Sequence, residues 1–240
     1  MKTLITAAAA AALIAGAAQA QDTIRMGTEG AYAPYNFINE AGEVDGYERE
    51  LGDLLCERVG VQCTWVTNDW DSIIPNLVSG NYDTIMAGMS ITPEREEVLA
   101  FTQNYMPPAS SVYVSNDPDA DLTGGVIAAP TNTIQAAYVA ESGATLLEFA
   151  TPDETVAAVR NGEADAVFAD GDYLRPVAEE DPELEIVGEP VQIGGGIGMG
   201  LRQSDTELRD RFDAVIGELK ADGTLNEMIV RWFGEDAATY

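Results

Sequence analysis

Apolar and polar residues alternate along the chain with two different periods, one typical of helices and the other of strands. Residues 47–59 place leucine and valine side chains at helical spacing, which predicts an amphipathic helix. Its opposite, polar face is predicted to carry Glu48, Arg49, Asp53 and Glu57. The short apolar runs at residues 23–27 and 63–67 predict strands on either side of this helix.

The same alternation continues further along the chain. A helix is predicted through residues 72–80 with Asp71 as its cap, followed by a buried strand at residues 83–89. The resulting order of strands and helices favours a parallel sheet covered by helices. A second α/β unit of similar size begins near Ser111 and includes a strand at residues 164–170.

A glycine-rich stretch at residues 194–200 follows the second unit. It predicts a flexible return, after which two helices are expected at residues 205–222 and 224–232. These glycines do not form a dinucleotide-binding fingerprint, because no helix that would face a phosphate begins directly after them. With 240 residues the chain can form one large domain or two small lobes, and length alone does not decide between them.

The first 20 residues have the organisation of a secretory signal peptide. A short basic start is followed by an alanine-rich apolar stretch at residues 4–18, and Ala18-Gln19-Ala20 fits a cleavage site. We therefore expect a mature chain that starts at Gln21 and is exported to the periplasm. The alternative is an uncleaved N-terminal anchor, which the short stretch of small side chains disfavours.

Export gives meaning to the two cysteines, Cys56 and Cys63. An even pair at short spacing in an oxidising compartment suggests a disulfide, which would join a helix end to the next strand. The alternative is a pair of reduced cysteines in the core. Gly60 marks a helix stop between them and favours the disulfide.

Composition and charge then exclude several classes of function. The chain has 12 Lys+Arg against 41 Asp+Glu and no histidine, which gives a formal net charge of -29. So acidic a surface is repelled by nucleic acid, and the lack of histidine removes imidazole metal sites and nucleophile systems that need His. The sequence therefore predicts no nucleic-acid partner, no metal and no cofactor.

Single polar residues lie at strand ends or helix starts, where open α/β sheets bind ligands. They are Glu29, Ser90, Arg95, Thr133 and Asp170. Because they include no recognisable catalytic combination, they predict a binding site. Taken alone, Asp170 is better explained as an ordinary turn residue that ends a strand. Trp70 could equally be an aromatic side chain over the edge of the core.

Arg95 lies in a segment with strong helix-start signals. Thr92 is a natural N-cap and Pro93 suits the first helical position, which places Arg95 in the first turn. A cation there opposes the helix dipole by about 0.3–1 kcal/mol. Either neighbouring glutamates offset it on a solvated face, or its guanidinium binds a carboxylate, and spacing alone leaves both interpretations open.

Several segments, in chain order, carry a resemblance to a known family. They are GTEGAYAPYNF, GYERELGDLLCERVGVQCTWV, NDWDSIIPNLVSGNYDTIMAGMSITPERE, NGEADAVFAD and GMGLRQSDTELRDRFDAVIGELKADGT followed by RWF. Together they resemble the periplasmic solute-binding proteins for polar and basic amino acids. The resemblance covers nearly the whole mature chain, and the two cysteines have the spacing of that family.

The resemblance implies roles for individual residues around a free L-amino acid. Arg95 would bind the ligand α-carboxylate, helped by the backbone amides of Ser90, Thr133 and Ile134. The α-ammonium group would be bound by Asp170, the Ser90 hydroxyl and the Gly88 carbonyl. The ligand side chain would lie between Tyr32 and Trp70, and Glu29 would meet its far end, where a cation gains aromatic contacts and charge-assisted hydrogen bonds.

The chain departs from the family pattern at three places. Ala87-Gly88 replaces the two serines of some lysine/arginine/ornithine binders and resembles arginine and glutamine binders instead. Asn132 takes a position where glycine is usual; asparagine is the next residue best able to adopt a left-handed backbone. The glycine-rich return is also shorter than in typical members.

The resemblance implies a two-lobed α/β periplasmic binding protein of type II, each lobe a mixed sheet flanked by helices. Residues 21–109 and 195–240 would form lobe 1 and residues 110–194 lobe 2, with two hinge crossings. We expect a monomer that binds arginine or another basic amino acid and delivers it to an ABC permease in the inner membrane. The alternatives are binding of glutamine or another polar amino acid, or a periplasmic dehydratase on the same scaffold.

Overall fold

The computed structural model describes residues 23–240, so the predicted signal peptide at residues 1–20 lies outside the described part. No helix among these described residues is both long enough and apolar enough to cross a membrane. The first part of the chain forms β1 (Thr23–Thr28), β2 (Ala31–Tyr32), β3 (Asn36–Ile38), β4 (Val44–Asp45), α1 (Tyr47–Val59), β5 (Gln62–Thr67), α2 (Trp70–Val78), β6 (Thr84–Ile85), α3 (Pro93–Glu96) and β7 (Leu99–Met106).

The remainder of the chain forms a second group of strands and helices and then returns to the first. The second group comprises β8 (Ser110–Ser115), β9 (Val126–Pro130), α4 (Ile134–Ser142), β10 (Thr145–Phe149), α5 (Pro152–Arg160), β11 (Ala166–Asp170), α6 (Gly171–Glu180) and β12 (Glu185–Gln192). The returning segment comprises β13 (Ile197–Arg202), α7 (Thr206–Ala221) and α8 (Thr224–Phe233).

Two five-stranded sheets define two lobes. The first has the order β5-β1-β6-β13-β7 and the second the order β10-β9-β11-β8-β12. Both are mixed sheets, as the family resemblance implies, because β13 and β8 run antiparallel to their neighbours while the other central pairs are parallel. The chain passes between the sheets at residues 107–109 and 193–196. The lobe boundaries at 109/110 and 194/195 lie in these connections and stay a prediction.

Helix α1 has the predicted bounds, but one of its polar residues lies on the other face. Leu51 and Leu55 are fully buried, and Gly60 ends the helix in the left-handed conformation with φ 79°. Glu48 is also fully buried, so its placement on the solvated face was wrong. The reason is its spacing, since it precedes Leu51 by three residues and Leu55 by seven and therefore shares their stripe.

The glycine-rich return is only partly a loop. Residues 197–202 form the buried strand β13, so the prediction of a flexible return through residue 200 was wrong. A Cβ atom on Gly198 would lie 2.8 Å from the Ile91 Cδ1 atom. Glycine is therefore needed here for close packing inside a sheet rather than for flexibility.

Three further expectations differ from the structure because sheet pairing and local backbone geometry override the hydrophobic pattern. The strand predicted at residues 83–89 is limited to Thr84–Ile85, since Gly88 turns the backbone with φ 63°. Helix α2 has Asp69 at its N-cap rather than Asp71, and neither β7 nor β12 was predicted. β7 is an edge strand of the first sheet and β12 an edge strand of the second. Each leads directly into a connection between the lobes.

The disulfide between Cys56 and Cys63 is present in the structure. Its Cα atoms lie 6.1 Å apart, and it joins the last turn of α1 to β5. The bridge therefore fixes the helix end against the edge strand of the first sheet, as the spacing predicted.

Removing this disulfide is expected to lower the free energy of unfolding by about 2.5 kcal/mol, the loop-closure value for a ring of this size. We would compare wild type with a Cys56→Ala/Cys63→Ala variant by urea unfolding, with and without reductant. Reductant should lower the stability of wild type to that of the variant and leave the variant unchanged. A wild-type stability that does not respond to reductant would contradict this role.

Candidate functional site

A cavity lies between the two lobes. All nine residues that the sequence singled out line this one cavity: Glu29, Tyr32, Trp70, Gly88, Ser90, Arg95, Thr133, Ile134 and Asp170. The structure thus brings the candidate residues of both lobes together, whereas their roles toward a ligand stay predictions.

The lobe 1 side of the cavity is held in place by the buried carboxylate of Glu48. Its oxygens accept hydrogen bonds from the Gly88 amide at 2.7 Å, from Asn36 Nδ2 at 2.7 Å and from the Tyr105 hydroxyl. Asn36 in turn accepts the Gly30 amide at 2.7 Å. Burial raises the pKa of Glu48, and these three donors partly offset that effect.

Arg95 lies where the helix-start signals placed it. The Thr92 hydroxyl accepts its backbone N–H, which confirms Thr92 as the N-cap of α3. The Arg95 guanidinium donates to the Ser90 carbonyl at 2.8 Å and to the Asn132 carbonyl of lobe 2 at 3.1 Å. It also lies 5.4 Å from the centroid of the Trp70 ring. Burial lowers the pKa of Arg95 to about 10, so it stays cationic near neutral pH.

The facing wall in lobe 2 is the start of α4. Thr133 is its N-cap, with a hydroxyl that accepts the Ala136 amide at 3.1 Å and donates to the Pro130 carbonyl at 2.6 Å. Asn132 before it has φ 56°, as expected for asparagine at a position that glycine usually fills. The positive end of this helix therefore faces the cavity, an arrangement that favours an anionic group.

Asp170 ends β11 with its carboxylate in the cavity. One oxygen accepts the Tyr32 hydroxyl from lobe 1 at 2.6 Å, and the other accepts Gln135 Nε2 at 2.7 Å. Burial raises the pKa of Asp170, while the bonds from Tyr32 and Gln135 and the charge of Arg95 lower it. The pair of opposite charges, Arg95 and Asp170, therefore comes from opposite lobes.

Gln135 was not singled out from the sequence. It lies in the first turn of α4, is only 3% exposed and lines the same cavity. The local sequence contains one usable signal, because Gln135 comes two residues after Thr133, which was expected at a helix start. Its contact with Asp170, however, joins residues 35 positions apart and depends on how α4 packs on the second sheet.

Aromatic side chains cover one side of the cavity. Tyr32 stacks with Tyr173 of lobe 2 at a centroid distance of 5.1 Å and with Tyr35 at 5.6 Å. Trp70 donates its indole N–H to the Thr131 carbonyl of lobe 2 at 3.0 Å. Both aromatic residues thus join the lobes as well as line the cavity.

Further hydrogen bonds close the rim around the site. The Tyr35 hydroxyl donates to Asp172 at 2.7 Å, and Asn132 Nδ2 donates to Asp71 at 3.1 Å. Each of these bonds joins lobe 1 to lobe 2. The structure therefore has the two lobes in contact around the cavity.

Glu29 follows β1 and differs from the other charged residues of the cavity. Among residues 23–240, no hydrogen bond or ion pair to its carboxylate is found. Burial raises its pKa from 4.5 to about 7, and the charges of Asp69, Asp71 and Glu48 add to this shift. A cation at this end of the cavity would offset both the cost of burying the carboxylate and its repulsion by the neighbouring acids.

The charges of the cavity suit a zwitterion with a cationic end. Arg95 and the start of α4 can bind a carboxylate, Asp170 can bind an ammonium group, and Glu29 can bind a second cation. No group of three or more His, Cys, Asp or Glu side chains in the described part of the chain is placed to hold a metal ion.

Comparison with known proteins supports one family. The family described as bacterial extracellular solute-binding proteins, family 3, matches residues 24–235. An octopine-binding periplasmic protein of Rhizobium meliloti is 32% identical, with 97% of each chain covered. A lysine/arginine/ornithine-binding periplasmic protein of Escherichia coli strain K12 is 31% identical, with 88% of each chain covered.

Solved structures agree with this family and with the type II periplasmic binding fold. A periplasmic His/Glu/Gln/Arg/opine family-binding protein from Silicibacter pomeroyi, in complex with lysine, is 71% identical with a TM-score of 0.89, and the match covers 90% of this chain and 100% of that chain. An ancestral amino acid-binding protein, a precursor of cyclohexadienyl dehydratase, is 27% identical with a TM-score of 0.77, over 88% of this chain and 95% of that chain.

The raised pKa of Glu29 makes the stability of the ligand-free protein depend on pH. Between pH 4.5 and 7 the folded state binds more protons at Glu29 than the unfolded state, so stability falls as pH rises through this window. The loss approaches about 3 kcal/mol, at about 1.4 kcal/mol per pKa unit. Glu29→Gln removes this component.

We would measure urea unfolding of wild type and Glu29→Gln at pH 5 and pH 8 without ligand. The variant should gain clearly more stability relative to wild type at pH 8 than at pH 5, and Glu40→Gln at an exposed position serves as the control. The other acids titrate in all three proteins, so their contributions cancel when the free energies of unfolding are subtracted. An equal difference between wild type and Glu29→Gln at both pH values would contradict the assignment.

Proposed function

Because this chain belongs to the bacterial extracellular solute-binding proteins of family 3, we propose that it is the extracytoplasmic component of an ABC importer. It is an amino-acid-binding protein of the periplasmic type, and its proposed ligand is a free L-amino acid with a cationic side chain, arginine before others. The observation that carries this proposal is the placement of Glu29 in the cavity that Arg95 and Asp170 enter from opposite lobes.

Arg95 is the proposed clamp for the α-carboxylate. Its pKa of about 10 keeps it cationic, and the start of α4 at Thr133 and Ile134 adds backbone amides beside it. Its present hydrogen bonds go to neutral carbonyls of Ser90 and Asn132, so its charge is left for a ligand. A carboxylate is therefore the favoured partner of this end of the cavity.

Asp170 is the proposed partner of the α-ammonium group, together with the Ser90 hydroxyl and the Gly88 carbonyl. The two donors that contact Asp170 are the neutral groups of Tyr32 and Gln135. Their hydrogen bonds fill part of the accepting capacity of the carboxylate without cancelling its charge. A ligand ammonium group would place a positive charge in direct contact with it.

Glu29 is the residue on which the proposed side-chain specificity rests. Its carboxylate is partly buried near three other acids, which makes its ionisation costly until a cation arrives. A guanidinium or ammonium group near Tyr32 and Trp70 also gains contact with aromatic rings. The lysine complex of the relative from Silicibacter pomeroyi agrees with a basic ligand.

The transport mechanism follows from the two-lobed arrangement. A ligand that contacts Arg95 in lobe 1 and Asp170 in lobe 2 favours the closed state, since it makes both contacts only when the lobes meet. We propose that the connections at residues 107–109 and 193–196 act as the hinges, with lobes at residues 21–109 plus 195–240 and at 110–194. The closed monomer would deliver its ligand to the permease from the periplasm.

A dehydratase activity on the same scaffold is the second candidate. The pKa of Glu29 near 7 suits a general acid or base, and one structural relative is a precursor of cyclohexadienyl dehydratase. The relatives in the comparison are mostly binding proteins, and Glu29 is equally suited to pair with a cation. We favour binding without turnover, in which case mass spectrometry recovers every bound compound unchanged.

Replacing Glu29 with glutamine should weaken arginine binding by about 10- to 100-fold, the range for a hydrogen bond to a charged group. Calorimetry at pH 8, with arginine, lysine, ornithine, citrulline and glutamine, would measure the effect. Affinity for glutamine should change little because its side chain is neutral. The basic assignment fails if wild type binds glutamine or another neutral amino acid at least as tightly as arginine.

Replacing Arg95 with alanine should weaken binding of every amino acid alike, by about 100-fold or more, since all share the α-carboxylate. Arg160→Ala, which removes an exposed ion pair to Asp181, is the matched control and should leave affinities unchanged. Retained affinity in Arg95→Ala would remove this residue as the carboxylate clamp.

A further inference from the structure

Asp170 lies between two neutral donors that hold its carboxylate in the cavity. The residue is at the N-cap position of α6, yet its side chain makes no capping bond to that helix. Instead, one oxygen accepts the Tyr32 hydroxyl at 2.6 Å and the other accepts Gln135 Nε2 at 2.7 Å. The direction of the carboxylate is therefore set by these two residues.

Of these two donors, Gln135 belongs to the same lobe as Asp170 and is itself anchored. Its amide nitrogen also donates to the Ser111 hydroxyl at 2.9 Å, and both side chains are buried. Ser111 lies on β8, directly opposite Asp170 in the antiparallel pairing with β11. The contacts among Gln135, Ser111 and Asp170 are thus built into lobe 2 alone and do not require the lobes to meet.

We propose that Gln135 is a positioning residue that holds the Asp170 carboxylate directed at the ligand α-ammonium group, so that selection for a free α-amino group depends on it. This inference rests on the proposed function. Gln135 itself needs no contact with the ligand in this role. Its effect passes through the Asp170 carboxylate.

Charge considerations support a neutral amide at this position. Burial raises the pKa of Asp170, and the charge of Asp172 raises it further, whereas Tyr32, Gln135 and Arg95 lower it. A lysine or arginine in place of Gln135 would also favour ionisation, but its charge would cancel the carboxylate that the ligand needs. An amide donor stabilises the anion and leaves its full charge for the ligand.

The test compares two ligands that differ only in the α-amino group: L-arginine and 5-guanidinopentanoic acid. Both carry the carboxylate for Arg95 and the guanidinium for Glu29. The ratio of their dissociation constants therefore isolates the contacts to the α-ammonium group, of which Asp170 supplies the charged one. Because both ligands carry this guanidinium, a change in the protonation of Glu29 affects both dissociation constants alike and cancels in their ratio. If lysine binds wild type more tightly than arginine, lysine and 6-aminohexanoic acid replace this pair.

Gln135→Leu keeps a side chain of similar size and removes the donor. We expect it to reduce the preference of wild type for arginine by about tenfold, while affinity for 5-guanidinopentanoic acid changes less than about threefold. The remaining preference should fall further from pH 8 to pH 6, because Asp170 without this donor takes up a proton more readily. Wild type should show a smaller change of the ratio over that range.

Gln103→Leu is the matched control. Like Gln135, Gln103 donates from its side-chain amide nitrogen to an aspartate, in this case Asp213, but it lies away from the cavity. It should leave the ligand ratio unchanged. Ser111→Ala is the second test variant if Gln135→Leu does not fold. It removes the anchor of Gln135 and should change the ratio in the same direction by a smaller factor.

The outcomes separate this inference from the proposed function. Equal weakening of both ligands in Gln135→Leu, or an unchanged ratio at both pH values, would overturn the positioning role and leave the proposed function intact. A wild-type protein that binds both ligands equally would instead overturn the role of Asp170, and the inference about Gln135 would fall with it.

Discussion

The buried carboxylate of Glu48 is the constraint on which one whole side of the cavity depends. A carboxylate removed from water must be hydrogen-bonded, and Glu48 meets this requirement with Asn36, Gly88 and Tyr105. These partners come from the start of β3, the loop after β6 and strand β7. A single group therefore sets the positions of the backbone around the candidate ligand site.

The position of Tyr105 connects this network to the passage between the lobes. Tyr105 lies near the end of β7, immediately before the first connection to lobe 2, and its backbone carbonyl accepts the Tyr47 hydroxyl. The cavity wall and the start of that connection thus share the same hydrogen bonds.

Most of the acidic residues of the chain have little direct effect on the cavity. Exposed charges separated by more than about 10 Å are largely screened at physiological salt, so the net charge of -29 does not by itself select a cationic ligand. Glu29 and Asp170 act differently because they are partly buried and line the cavity itself. The electrostatic character of the site comes from a few acids with low exposure rather than from the total.

The sequence by itself determined the features that depend on near neighbours in the chain. These include the bounds of α1, the cap at Thr92 and the short disulfide loop. Positions at strand ends and helix starts indicated Glu29, Ser90, Arg95, Thr133 and Asp170. The family resemblance added Tyr32, Gly88 and Ile134 and a role for Trp70. Only the tertiary structure decided that Glu48 is buried, that residues 197–202 form a central strand, and that Gln135 and Tyr32 meet Asp170. Those features depend on sheet order and on contacts between the lobes, which join residues up to 138 positions apart, and hydrophobic periodicity carries no information about such pairs.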